Sequence, residues 1–173
     1  MQKFWIQTAG LILIAFAALY LTKNPGIIGP VLPIAPQTAP KTAEVSINGA
    51  VVNAEVADTP QTRATGLSGR VSLPQDSGML FVFQQPGKYQ FWMKGMQLSL
   101  DFIFIKKGQV VDLMQNIPPQ PANTPDSQLP VYEPMSEIDS MLEVNGGFAA
   151  SHNIAVGDQV SVTYNASTTT GVN

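Results

Sequence analysis

Lys94 and Asp101 stand inside a strongly apolar stretch of the chain, the run from Gly78 to Ile105 that includes MLFVF, FWM and FIFI. Asp101 lies between Leu98-Ser99-Leu100 and Phe102-Ile103-Phe104-Ile105. A carboxylate in such surroundings costs several kcal/mol unless it is paired or hydrogen-bonded. The partners within reach by sequence are Lys94, Arg63 and Arg70. Two readings follow: Asp101 is satisfied internally, by an ion pair or by backbone amides at a bulge, or it joins Lys94 and an arginine in a polar cleft set in an apolar wall. Arg63 and Arg70 are seven positions apart with Gly66 and Gly69 between them. Both can reach a common carboxylate or phosphate, or else tie down a glycine-rich loop. Trp92 offers a stacking surface, although a tryptophan flanked in a strand by Phe91 and Met93 reads more readily as core. Strand alternation places it with Lys94 on the face opposite Phe91 and Met93, so the two are presented together if the Phe91 face is the core. These five residues, Arg63, Arg70, Trp92, Lys94 and Asp101, form the candidate ligand-binding cleft. Glu55 and Glu143 are secondary candidates, because with Asp101 they are the carboxylates set in strongly apolar segments. Two such groups facing each other could serve as acid and base in glycoside hydrolysis, although nothing in their spacing brings them together.

No complete catalytic or metal-binding motif accompanies these residues. The chain has no cysteine, so there is neither a disulfide framework nor a thiolate ligand or nucleophile. Its single histidine, His152, lies between Ser151 and Asn153 and reads as a surface residue. Gly66-Leu67-Ser68-Gly69 falls one residue short of a nucleophile elbow. Met93, Met96 and Met114 are scattered among apolar segments, which suits packing better than copper binding. No metal site and no cofactor are expected.

The elements that must position the candidates are mostly strands. Glu44–Ile47 and Ala50–Val56 flank Asn48-Gly49, a strong hairpin signal. Asp58-Thr59-Pro60 supplies an N-cap and a proline for a short helix from Gln61 to about Leu67. Further strands are expected at Met79–Phe83, Tyr89–Lys94, Phe102–Ile105, Gln109–Met114, Met141–Val144 and Gln159–Tyr164. A proline-rich loop spans Asn116 to Pro134, and a helical turn covers Phe148 to His152. The pattern predicts an α+β, β-dominated domain of about eight short strands and two short helices. Its sheet is curled into an open barrel or a small sandwich, and helix-rich folds are excluded.

This domain, residues 44–164, is preceded by two segments of different character. Phe4 to Leu21 is eighteen residues without a charge, about 27 Å as a helix, and reads as a transmembrane anchor within residues 1–23. Ala15-Phe16-Ala17 also has the form of a signal-peptidase site, so cleavage and secretion are the alternative. Residues 24–43 carry Pro25, Pro30, Pro33, Pro36 and Pro40 and read as an extended spacer. Residues 165–173 form a Ser/Thr-rich tail expected to be disordered. The short N-terminal flank favours a single-pass protein in the cell membrane with its domain on the extracytoplasmic side. All twelve acidic residues lie at or beyond Glu44, against six basic ones there, giving the domain a net charge of about minus six. Nucleic acid and anionic lipid are thereby disfavoured as partners of the domain. The expected partners are the bilayer, through residues 4–21, and a small-molecule or envelope ligand.

An ordered series of short motifs runs through the domain: Glu55-Val56-Ala57-Asp58, Arg63, Gly66-Leu67, Arg70, Gly78-Met79-Leu80-Phe81-Val82-Phe83, Phe91-Trp92-Met93-Lys94, Leu100-Asp101-Phe102-Ile103-Phe104-Ile105, Leu142-Glu143-Val144 and Gly157-Asp158. The series resembles the DUF192 (UPF0127) family over roughly residues 45–163. The resemblance implies a compact β-rich domain, often exported behind a signal or anchor, and implies no particular reaction. Ser68 stands where the family commonly has methionine and Gly95 where asparagine is frequent. The loop after Ile117 lacks the cysteines of many members.

The sequence therefore predicts a membrane-anchored extracytoplasmic binding or accessory module. One alternative is an envelope hydrolase of glycoside type using paired carboxylates. Another is a structural domain that holds envelope partners together.

Overall fold

The computed structural model describes residues 41–165. The proposed anchor, most of the proline-rich spacer and most of the tail lie outside them. Among the described residues no helix is long and apolar enough to cross a membrane.

Seven strands form one sheet: β1 (Thr42–Ile47), β2 (Ala50–Ala57), β3 (Ser77–Gly87), β4 (Leu100–Lys106), β5 (Gln109–Ile117), β6 (Ile138–Asn145) and β7 (Val160–Tyr164). Their order is β5-β4-β6-β3-β2-β1-β7. The sheet is curled into a half-barrel, and its two ends approach each other where Gln109 pairs with Gln159. Val110 N donates to Asp158 O at 2.9 Å and Val160 N to Gly108 O at 2.8 Å there. Two short helices complete the fold, α1 (Pro60–Thr65) and α2 (Phe148–Ser151).

The β1–β2 hairpin turns at Asn48 and Gly49, with φ of 48° and 82°. Those are the left-handed values a two-residue turn needs, and Asn-Gly adopts them at little cost. All neighbouring strands run antiparallel except β2 and β3, which are parallel and joined through α1. Thr59 caps α1: its Oγ1 accepts from Thr62 N at 3.1 Å while Thr62 Oγ1 accepts from Thr59 N at 3.0 Å. Pro60 occupies the first turn, where its missing N–H leaves no helical bond unmade. Gly66 ends the helix with φ 51° and ψ −141°, a conformation open to glycine alone.

Both faces of the central strands are covered, which is why Phe102–Ile105 of β4 read as a continuous apolar run rather than an alternating one. The inner face gathers residues from all seven strands, including Val45, Val52, Leu80, Ile103, Leu142 and Val160, and is closed by Phe148 and Ala149 of α2. On the outer face Met79, Phe81, Phe102, Phe104 and Met141 pack beneath Phe91, Met93 and Met96.

The stretch Tyr89–Lys94 is not an eighth strand. It crosses the outer face as a strap, joined to the proline-rich segment by the reciprocal bonds Phe91 N to Tyr132 O and Tyr132 N to Phe91 O, each 2.9 Å. Its alternation is nonetheless that of a strand, with Phe91 and Met93 buried and Trp92 and Lys94 exposed. The apolar face packs flat on the sheet instead of joining its edge.

Candidate functional site

The strap, α1 and β3 enclose a cleft of about 600 Å³ on the outer face. The wall formed by β3 and the strap is largely aromatic. Phe83 and Tyr89 stack across the Pro86-Gly87 corner with ring centroids 3.7 Å apart and planes 10° from parallel. Phe91 meets Phe81 edge-on at 6.2 Å and Phe83 at 6.2 Å. Trp92, 54% exposed, borders the opening. The Tyr89 hydroxyl donates to Gln85 O at 2.6 Å and holds the corner closed.

Arg63 lines the cleft from the last turn of α1. Its Nη1 donates to Val82 O at 2.9 Å, at the point where the β3–β6 ladder breaks between Val82 and Gly87. Its guanidinium lies 5.4 Å from the Phe83 ring centre, a cation–π contact. Lys94 is paired with Asp126 at 2.6 Å, so it ties the strap to the proline-rich segment.

Glu143 of β6 also lines the cleft. It is 7% exposed, and its cross-strand neighbours are Met79 on β3 and Phe102 on β4. These neighbours offer no hydrogen-bond donor, and Glu143 has no ion-pair partner among the described residues. Burial pushes its carboxyl up to about 8, because the charged form has lost most of its water.

The structure brings Arg63, Trp92 and Lys94 together with Glu143 and places the other candidates elsewhere. Arg70 forms a two-pronged ion pair with Glu55, Nη1 to Oε1 at 2.6 Å and Nη2 to Oε2 at 2.7 Å. The pair borders a second hollow of about 260 Å³ that includes Gln61 and Thr62 of α1. The Arg70 hydrogen bonds hold the Glu55 carboxyl below its usual range. Asp101 lies outside both hollows. It is fully buried, and its carboxylate accepts from Asn116 N at 2.7 Å, Gly147 N at 3.0 Å and Ala149 N at 2.8 Å. It thus fastens the start of α2 to β4 and β5, and the amides replace the water it lost. Neither Lys94 nor an arginine is its partner.

His152 packs against Phe148 with ring centroids 4.2 Å apart, and its Nδ1 lies 2.9 Å from Phe148 O. No group of three or more potential metal ligands occurs among the described residues. Two positions that depart from the resemblance meet in space: a Cβ on Gly95, which has φ +67°, would collide with Ser68 Oγ. A larger residue at 95 therefore requires the Ser68 hydroxyl to turn away. Sequence reasoning did not single out Phe83 and Tyr89 as a wall. Their position on either side of a Pro-Gly corner was the available signal.

Fold and cleft define a half-barrel domain that carries an aromatic hollow on the outside of its sheet. The sequence matches the DUF192 family, an uncharacterized ACR, over residues 43–162, and the chain belongs to that family. Among solved structures it is similar to a protein of unknown function from Novosphingobium aromaticivorans DSM 12444, with 27% identity and a TM-score of 0.65 over 77% of this chain and 94% of that one. It is also similar to a proposed transcription regulator from Sinorhizobium meliloti 1021, with 24% identity and a TM-score of 0.62 over 72% of this chain and 95% of the other. The second likeness is one of fold. No curated protein matches the chain.

Proposed function

We infer that the protein is a membrane-anchored binding module whose domain, on the extracytoplasmic side, takes a small ligand with a flat or apolar body into the aromatic cleft. The observation that carries this reading is the cleft itself. A hollow of about 600 Å³ lined by aromatic rings with a few convergent polar groups is the usual form of a small-molecule site. The apolar run Phe4–Leu21 supports the anchor.

Paired-carboxylate hydrolysis has less support. It needs two free carboxyl groups about 5 to 10 Å apart across an open cleft. Glu55 is held by Arg70 and Asp101 by three amides, so among the described residues Glu143 is the one carboxyl that lines the cleft.

A small-molecule panel followed by thermal unfolding tests the binding reading, since a ligand that binds only the folded state raises its stability by mass action. A hit should lose its effect in Trp92→Ala and keep it in Glu55→Gln. Hits equally insensitive to Trp92→Ala and to Phe83→Ala would remove the cleft from consideration. For the anchor, deletion of residues 4–21 should release the protein from the membrane fraction. A C-terminal tag on the full chain should be open to added protease in cells stripped of their outer layers, and protection until lysis would reverse the orientation.

A further inference from the structure

Resting on the reading of the cleft as a binding site, we propose that its ligand is a small organic cation, an ammonium group on an apolar body, seated against the Glu143 carboxylate and between the aromatic rings. Glu143 is more than nine-tenths buried, and what exposure it retains opens into the cleft. The fold supplies it with no donor. Its strand neighbours are Met79 and Phe102, in a layer otherwise made of Phe81, Phe104 and Met141. A methionine or leucine would fill that position without the cost of burying a carboxyl. Among the described residues Glu143 has no positive partner of its own, since the two cations that line the cleft, Arg63 and Lys94, are engaged elsewhere.

The rest of the lining favours the same ligand. Tyr89, Phe91 and Trp92 line the opening with ring surface, and aromatic faces attract cations through their quadrupoles. A quaternary or alkyl ammonium combines charge with methyl or methylene surface, so it satisfies rings and carboxylate at once. An anionic ligand would need Arg63 or Lys94. Arg63 is engaged with Val82 O and the Phe83 ring, and Lys94 with Asp126.

The inference carries a proton signature. The titratable groups lining the cleft besides Glu143 are Arg63 on α1 and Tyr89 and Lys94 on the strap. The residues that flank Glu143 from β3 and β4, Met79 and Phe102, do not titrate. Glu143 holds its proton at neutral pH because burial raises its carboxyl to about 8, so a cation must displace that proton to bind. Affinity should rise about tenfold per pH unit between pH 5 and 8 and level off above, with one proton released per ligand bound in the lower range.

Calorimetric titration of the purified full-length protein with choline and butylammonium tests this. Neohexyl alcohol, which replaces the quaternary nitrogen by carbon, and butanol serve as uncharged counterparts. The expected result is saturable binding of at least one ammonium, at least tenfold tighter than its counterpart at pH 8. It should be accompanied by the stated pH dependence, by heats that vary with buffer as proton release requires, and by at least tenfold loss in Glu143→Gln. The pH dependence and buffer heats are read on the unaltered protein, so they decide the matter even if the variant folds poorly. If the alcohols bind as tightly as the ammonium ions, or binding is independent of pH, the cation inference fails while the cleft remains a binding site, provided Trp92→Ala weakens them. If neither ammonium binds, the inference fails outright. If in addition the wider panel yields no hit sensitive to Trp92→Ala, the binding reading falls with it.

Discussion

Asp101 and Glu143 are two buried carboxyl groups on adjacent strands, one register step apart, and they live in opposite circumstances. Asp101 pairs in register with Val144, and Glu143 with Phe102, so they point to opposite faces of one sheet. Asp101 is met by three backbone amides that are themselves short of partners at the start of α2 and the end of β5. Glu143 is met by Met79, Phe102 and an opening. The first arrangement exchanges hydration for hydrogen bonds and fastens one part of the fold to another; the second leaves the cost of burial standing in the folded protein. A group left in that state marks where the fold tolerates instability for another purpose, which is why Glu143 and not Asp101 carries the functional reading.

The sharpest way to break the contrast is to titrate stability. In the unfolded chain the Glu143 carboxyl has its usual value near 4.5, and in the folded protein about 8. Between those values the folded state keeps a proton that the unfolded state has released. Stability from this group is therefore complete below pH 4.5, falls as pH rises and is lost once pH passes about 8. The full difference is about 5 kcal/mol at 1.36 kcal/mol per unit. Glu143→Gln removes the ionisation, so the variant should match the wild type in urea unfolding at pH 5 and exceed it at pH 9 by a large part of that amount. Parallel stability curves from pH 5 to 9 would mean that Glu143 is solvated after all, and the contrast would collapse.

Asp101→Asn comes next in size and has the opposite sign. An asparagine keeps one acceptor oxygen and turns an NH2 group toward an amide that is also a donor. At least one buried N–H loses its partner, and a charge-assisted set of bonds becomes a neutral one. The expected loss is about 3 kcal/mol in urea midpoint measurements. A loss smaller than that of Glu143→Gln at neutral pH would invert the assignment of the two roles.

How far the sequence foretold this difference depends on the range of the contacts involved. The β1–β2 hairpin and the capped α1 rest on local signals, Asn48-Gly49 and Thr59-Pro60, and these survive in the fold; Trp92, which its apolar neighbours made more readily a core residue, is exposed beside Lys94 as strand alternation allowed. The seven-stranded order does not follow from local signals, because β6 inserts between β4 and β3 from some thirty positions away. That insertion determines which carboxyl group meets which face. Both Asp101 and Glu143 were visible as charges in apolar strands, and alternation alone assigned neither a partner. Asp101 found amides from two distant segments, 15 and 48 positions along the chain. Lys94 and Arg70, its partners by proximity in sequence, went to Asp126 and Glu55 instead. The strap Tyr89–Lys94 was legible in its alternation and illegible in its docking, since a buried apolar face suits a sheet edge and a sheet surface equally.

The exposed ion pairs extend the comparison to its weak end, where water remains available to both partners. Arg70 and Glu55 keep about a third of their side-chain surface exposed, and their two-pronged geometry sets the upper limit for such a pair. Glu55→Gln should cost about 1 kcal/mol. Because Arg70 lowers the Glu55 carboxyl, that contribution is present above the ordinary carboxylate range and is lost as pH falls through the lowered folded value. Lys94 and Asp126 are 54% and 72% exposed, and Lys94→Ala should cost no more than about 0.5 kcal/mol, less in high salt. A loss near that of Asp101→Asn would show that the strap depends on this one contact. A near-neutral result leaves the Phe91–Tyr132 bonds and the buried faces of Phe91 and Met93 as what holds the strap over the cleft, and makes Lys94 free to be exchanged when ligand specificity is changed.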